Sequence, residues 1–98
     1  MNAQEIATKA AELVSGDREK QHGVKAKNFA NIARLWNAWL DIRAGISNQL
    51  TATDVAKMMA LLKIARMESG EYNADDAIDG AGYIAIAGEL AAPQETRR

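Results

Sequence analysis

The first 92 residues contain no proline, and Pro93 is the only one in the chain. Proline removes a backbone donor and stops helices, so without it glycine and short polar clusters do the breaking. Gly16, Gly23, Gly45 and Gly70 stand where apolar periodicity stops. Twenty alanines, the residue with the highest helix propensity, fill much of the rest. Such a composition favours helices.

Four helical stretches follow from the spacing of apolar residues. Ile6, Ala10, Leu13 and Val14 predict a helix from about Ala3 to Ser15, stopped by Gly16. Phe29, Ile32, Ala33, Trp36 and Leu40 form one stripe of a second helix, from about Lys25 to Arg43, with Leu35, Trp39 and Ile42 as a flanking stripe. A helix apolar over two stripes needs two partners: either neighbouring helices of its own chain or another copy. A third helix starts at Thr51, where Asp54 three residues on makes a capping-box-like pair. Its face is Val55, Met58, Met59, Leu62 and Ala65, and Ser69-Gly70 ends it. The fourth starts at Asn73, a good N-cap, with Asp75 and Asp76 in its first turn, and ends near Glu89-Leu90. Short linkers favour antiparallel neighbours. The expected fold is all-α: a small four-helix bundle with a C-terminal helical hairpin, a single domain over residues 1–90, and a flexible tail over 91–98.

Composition bounds what such a bundle can do. Hydrophobic residues make up 48% of the chain, but alanine supplies 20 of them, and the aromatics number two Trp, two Tyr and one Phe. Alanine buries little area, so at roughly 25 cal/mol per Å² a monomer is marginal and a homo-oligomer is expected. The absence of Cys excludes disulfides, thiol nucleophiles and zinc–thiolate sites. A formal net charge of −1 excludes attachment to duplex nucleic acid or anionic lipid by bulk charge. The longest apolar run, Met58 to Leu62, is five residues, against the roughly 20 that cross a bilayer. The N-terminus lacks the basic start and apolar core of a signal peptide, so the expected compartment is the cytoplasm.

Two constellations can carry chemistry. Counting outward from the last connection, centred near Glu71-Tyr72, an antiparallel hairpin brings Lys63 near Asp79 and Gly80, and Arg66 near Asp76 and Ala77. Lys63 and Arg66 are three apart and share a helix face, as do Asp76 and Asp79. Two cations then meet two carboxylates across one seam, either as an ion-pair ladder that fixes register or as a polar site for a ligand. Gly80 and Gly82 flank Asp79 inside a helix, where glycine costs about 1 kcal/mol relative to Ala and often admits a close neighbour. Tyr83 adds a hydroxyl and a ring. The second constellation is the loop from Asp17 to Asn28, holding Arg18, Lys20, His22, Lys25 and Lys27. It leads into the start of the second helix, whose free N–H groups favour an anion, or it is simply a solvated basic loop. Glu71, Asp75, Asp76 and Asp79 are a weak signal for Mg²⁺. No serine sits in a nucleophile elbow.

The ordered pattern Gly16-Asp17-Arg18, His22-Gly23, Asn28-Phe29, Ile32-Ala33 and Trp36, then Asp54-Val55, Met58-Met59, Leu62-Lys63 and Ala65-Arg66, then Asp76, Asp79 and Gly82-Tyr83 covers residues from about 10 to 90. It resembles a small all-helical domain-of-unknown-function family encoded largely by bacteriophages and prophages, in which Tyr often stands at the position of His22. A looser likeness runs to nucleotide-modification-associated domains, and a still looser one to MazG-like nucleoside triphosphate pyrophosphohydrolases. The latter hold Mg²⁺ on two acidic helices, and Glu12 and Asp17 do not reproduce the first acidic cluster.

The resemblance and the two constellations together set the functional expectation. It is a phage-encoded, cytoplasmic binding protein for a phosphorylated, cyclic or modified nucleotide, a sponge acting against host defence signalling. Its ligand-binding set is Arg18, His22, Lys25, Asn28, Lys63, Arg66, Asp76, Asp79 and Tyr83, with no catalytic residue and no cofactor. Trp36 is a second candidate for stacking on the base. The alternatives are a Mg²⁺-dependent pyrophosphohydrolase with the metal on Asp76 and Asp79, and a protein that docks on a host protein through Trp36, Trp39, Met58 and Met59.

Overall fold

The computed structural model describes residues 1–15, 24–43 and 49–93. Among these, four helices and no strand occur: α1 (Ala3–Leu13), α2 (Lys25–Ile42), α3 (Ala52–Met67) and α4 (Ala74–Ala91). The all-α reading holds. Each helix start has a local cause. Asn2 accepts from the Glu5 amide while Glu5 reaches back to the Asn2 amide, a complete capping box on α1. Thr51 and Asp54 make the same reciprocal pair on α3, and Asn73 Oδ1 accepts from the Asp75 amide on α4. α2 starts after Val24 without a side-chain cap. α3 gives way at Ser69 to Gly70, whose φ of 72° is the left-handed conformation that glycine tolerates best.

α3 is the middle helix, packed against α4 on one side and α2 on the other. The register of α2 against α3 is held at both ends and between. At one end Ser69 Oγ donates to Asn28 Oδ1 across 3.1 Å, with the Ala65 carbonyl as its alternative acceptor at 3.3 Å. In the middle the Trp36 indole N–H donates to the Met58 carbonyl at 2.7 Å. At the other end Arg43 reaches Asp54 Oδ2 at 2.9 Å. Asn28 and Arg43 are 15 residues apart, as are Asp54 and Ser69, so antiparallel helices about 22 Å long match end to end. Arg43 also lies 5.4 Å from the Trp39 ring centroid, a cation–π contact.

The core is thin. Among the described residues the buried apolar set is Ile32, Ala56, Ala60, Ala65 and Ala87. Ala56, Ala60 and Ala87 fall along the α3–α4 seam, where small side chains let the helices come close. α1 contributes no buried residue, and its Ile6 and Leu13 are exposed. Its end is tied to the start of α2 by Lys25 Nζ donating to the Val14 carbonyl at 2.9 Å.

Asp54 joins two tasks, capping α3 and gripping Arg43. Its carboxyl titrates below the ordinary value of 3.8 because the Thr51 amide hydrogen-bonds it; partial burial opposes this, while the Thr51 hydroxyl and the charges of Arg43 and Lys57 reinforce it. A depressed carboxylate contributes stability that is fully present above its unfolded value and lost as pH falls through the folded one. Wild type is therefore expected to lose stability as pH drops below about 4, and Asp54→Asn to be less stable at neutral pH with a shallower acid limb. Urea midpoints between pH 2.5 and 7 check this.

Candidate functional site

The α3–α4 seam carries the polar groups expected of it. Lys63 Nζ lies 3.1 Å from Asp79 Oδ2, and Arg66 Nε lies 3.7 Å from Asp76 Oδ1. Both pairs sit where counting from Glu71 puts them. Their environments differ. The Asp79 side chain is 49% exposed and that of Asp76 only 4%. A half-solvated ion pair is worth roughly 0–1 kcal/mol. A carboxylate buried as far as Asp76 is another matter, since desolvation works against it.

Beside the seam runs a groove of about 380 Å³, lined by Lys63, Ile64 and Met67 from α3 and by Asp76, Gly80 and Ile84 from α4, among others. It is mainly apolar, with one cation and one buried acid. Gly80 explains how the seam closes here: a Cβ at that position would stand 3.4 Å from the Lys63 Cβ. Gly82 differs, because a Cβ there would meet nothing within 4 Å. The close approach expected at both glycines occurs at Gly80 alone. A second groove, between α2 and α3, is lined by Asn31, Arg34, Leu35, Ile64, Ala65 and Glu68. Ile64 borders both, so the two grooves open on one face.

The remaining expected ligands are dispersed. Asn28 is buried and engaged with Ser69 at the end of α3. Ser69 follows Arg66 by three residues, so Asn28, Ser69, Arg66 and Asp76 form a polar line across one end of the three helices. Lys25 is at the α1–α2 junction on the Val14 carbonyl, and it does not line the α3–α4 groove. Tyr83 is half-buried on α4, one turn after Asp79. Trp36 anchors α2 to α3 through its ring nitrogen. Arg18 and His22 lie outside the described residues. Among the described residues no group of three His, Asp or Glu side chains is arranged to hold a metal ion; Asp76 and Asp79 each face a cation instead. Sequence reasoning missed Ser69 as the partner of Asn28 and Arg43 as the partner of Asp54. The only signal for either was a polar residue at a helix end.

Comparison with known proteins places this architecture. The family model described as "Domain of unknown function (DUF6378)" matches residues 5–91. The chain belongs to this family. It is 37% identical over 92 residues to the Gene 55 protein of Mycobacterium phage L5, covering 94% of this chain and 56% of that one. It is 35% identical over 81 residues to the Gene 55 protein of Mycobacterium phage D29, covering 83% and 50% respectively. The chain thus spans about half the length of these curated relatives. No solved structure matches it. The expectation of a phage-type helical domain of unknown function stands. No helix among the described residues is long and apolar enough to cross a membrane.

The two glycines give a direct check on the seam. Gly82→Ala is expected to raise the thermal midpoint, since helix propensity improves by about 0.5–1 kcal/mol with nothing to displace. Gly80→Val is expected to lower it, because branched carbons would push on Lys63. Thermal unfolding followed by circular dichroism reads both.

Proposed function

We propose that this DUF6378 chain binds a phosphorylated nucleotide-like small molecule in the α3–α4 groove and holds it without chemical change. The observation that carries the reading is Asp76: a carboxylate 96% buried by side-chain area, on the wall of an apolar groove, with its paired Arg66 nitrogen at 3.7 Å. A base or sugar offers the N–H or O–H donors that such a carboxylate accepts. Ile64, Met67 and Ile84 offer an apolar wall for the flat face of a base. Lys63 offers a cation for phosphate, and its present partner Asp79 is half in water. A dianionic phosphate displaces such a pair at little cost. The groove lies within the size range of small-ligand sites. Tyr83, one turn after Asp79, belongs to the same proposal as an outer contact; Lys25 and Asn28 are held elsewhere, and Arg18 and His22 lie outside the described residues.

The function that follows is sequestration: a sponge, made in a phage-infected cell, that lowers the free concentration of a cyclic or modified nucleotide used in host defence. Thermal shift against a panel of mono-, di- and cyclic nucleotides tests it. A ligand at 100 times its dissociation constant stabilises the folded state by about 2.7 kcal/mol. For a domain of this size that is a rise of more than about 10 °C. The expected result is such a rise with at least one phosphorylated nucleotide, its loss in Lys63→Met, and recovery of the unchanged ligand after heating. No shift across the panel overturns the proposal. Mg²⁺-dependent release of pyrophosphate that disappears in Asp79→Asn replaces it with the hydrolase.

A further inference from the structure

The side chains that line the α3–α4 groove narrow what it can hold. Among the described residues on its wall, Asp76 and Lys63 carry the charges, and the others are Gly, Ala, Ile and Met. Lys63 is thus the one lining side chain that donates a hydrogen bond, and Asp76 is the strong acceptor. Asp76 is also the deeper acid of the seam, with a side chain 4% exposed against 49% for Asp79. Arg66 Nε stands 3.7 Å from Asp76 Oδ1. A carboxylate has about four lone-pair sites on its two oxygens, so this contact leaves acceptor capacity on the groove wall.

We propose that the groove selects the guanine base of a nucleotide, with Asp76 accepting from the ring N1–H and the 2-amino group together and Lys63 holding the phosphate. This rests on the nucleotide reading above and names the base. The choice follows from the edges that bases present. A carboxylate offers two acceptors side by side, and its match is two donors side by side. Guanine has that pair. Adenine and cytosine set an amino donor beside a ring-nitrogen acceptor, which meets the second carboxylate oxygen lone pair to lone pair. Uracil and thymine hold their one ring N–H between two carbonyl oxygens. The groove has no second donor beside Asp76 to relieve either mismatch, and a buried polar group left unmet is costly. Ile64, Met67 and Ile84 supply apolar contact for the faces of a purine. Position along the hairpin agrees. Gly80, which faces Lys63, follows Asp76 by four residues, about 6 Å along α4. The base edge and the phosphate of one nucleotide lie farther apart than that, and the flexible lysine stem takes up the difference.

Titration calorimetry of the full chain with matched guanine, hypoxanthine and adenine nucleotides tests this, each as 5′-monophosphate, 5′-triphosphate and 3′,5′-cyclic phosphate. The guanine member is expected to bind tightest in whichever phosphate form binds. Hypoxanthine keeps N1–H and lacks the 2-amino group, so its nucleotide is expected to bind about tenfold more weakly, the loss of one hydrogen bond to a charged group. Adenine is expected to lose about a hundredfold or more. Asp76→Asn supplies a reversal. Xanthine sets a 2-oxo group beside N1–H, which suits the carbonyl and NH₂ of an amide, so the variant is expected to prefer xanthine over guanine. Adenine or hypoxanthine binding as tightly as guanine overturns the base assignment and leaves the nucleotide reading standing. A folded Asp76→Asn that still prefers guanine over xanthine does the same. Binding of no nucleotide in any form overturns both. The hypoxanthine and adenine comparison uses wild type alone, so it decides the matter even where Asp76→Asn does not fold.

Discussion

The contact between Arg66 and Asp76 is the constraint on which the rest of this molecule turns. A carboxylate buried this far is tolerated only with a cation beside it, and that cation is on the neighbouring helix. The pair therefore fixes one register for the α3–α4 hairpin. In that register Ala56, Ala60 and Ala87 fall in the seam, Gly80 meets Lys63, and Lys63 reaches Asp79. Slipping the hairpin by one turn would set a residue larger than Gly80 against Lys63. The groove is a product of the same register, because Gly80 and Ala77 leave open the space that Ile64, Met67 and Ile84 border.

Much of this was legible in the sequence. The capping pairs at Thr51–Asp54 and Asn73–Asp75 are local, and local rules located the starts of α3 and α4 to within a residue. The hairpin register was legible because its connection is short, so counting outward from Glu71 leaves little freedom. Other features were hidden for physical reasons. Arg43 with Asp54 and Ser69 with Asn28 join residues across a long connection, and nothing in either local sequence names the partner. Trp36 looked like a ring free to stack, and only the placement of α2 against the Met58 carbonyl shows that its nitrogen is engaged. Gly82 looked like Gly80, but one faces α3 and the other faces open space. Arg18 and His22 fall outside the described residues, so the proposed site rests on Lys63 and Asp76 of the α3–α4 groove.

The three-helix layer has two faces of different character, and this separation organises its function. One carries grooves with a buried acid, a cation and polar rims. The other exposes Phe29, Leu40, Val55 and Ile86. A chain so rich in alanine cannot cover both faces with its own residues; α1 buries none of its side chains. Small residues line the seam, and large apolar side chains such as Phe29, Val55 and Ile86 stay on the surface. The same economy of side-chain volume thus accounts for the well-defined groove, the thin core and the open face.

Whether the Arg66–Asp76 pair serves the fold alone or also a ligand is decided by removing both charges together. In Arg66→Met/Asp76→Leu both charges of the pair are replaced by apolar groups, which is often neutral or stabilising, whereas Asp76→Leu alone breaks the pair while keeping the partly buried Arg66 charge, and is expected to be the less stable of the two variants. The measurement is the urea midpoint of the double variant, read beside its thermal shift with the same phosphorylated nucleotides. The account predicts near-native stability with the nucleotide shift abolished. A double variant that is stable and responds to nucleotide as wild type does would contradict it, and would leave the seam a register lock and nothing more.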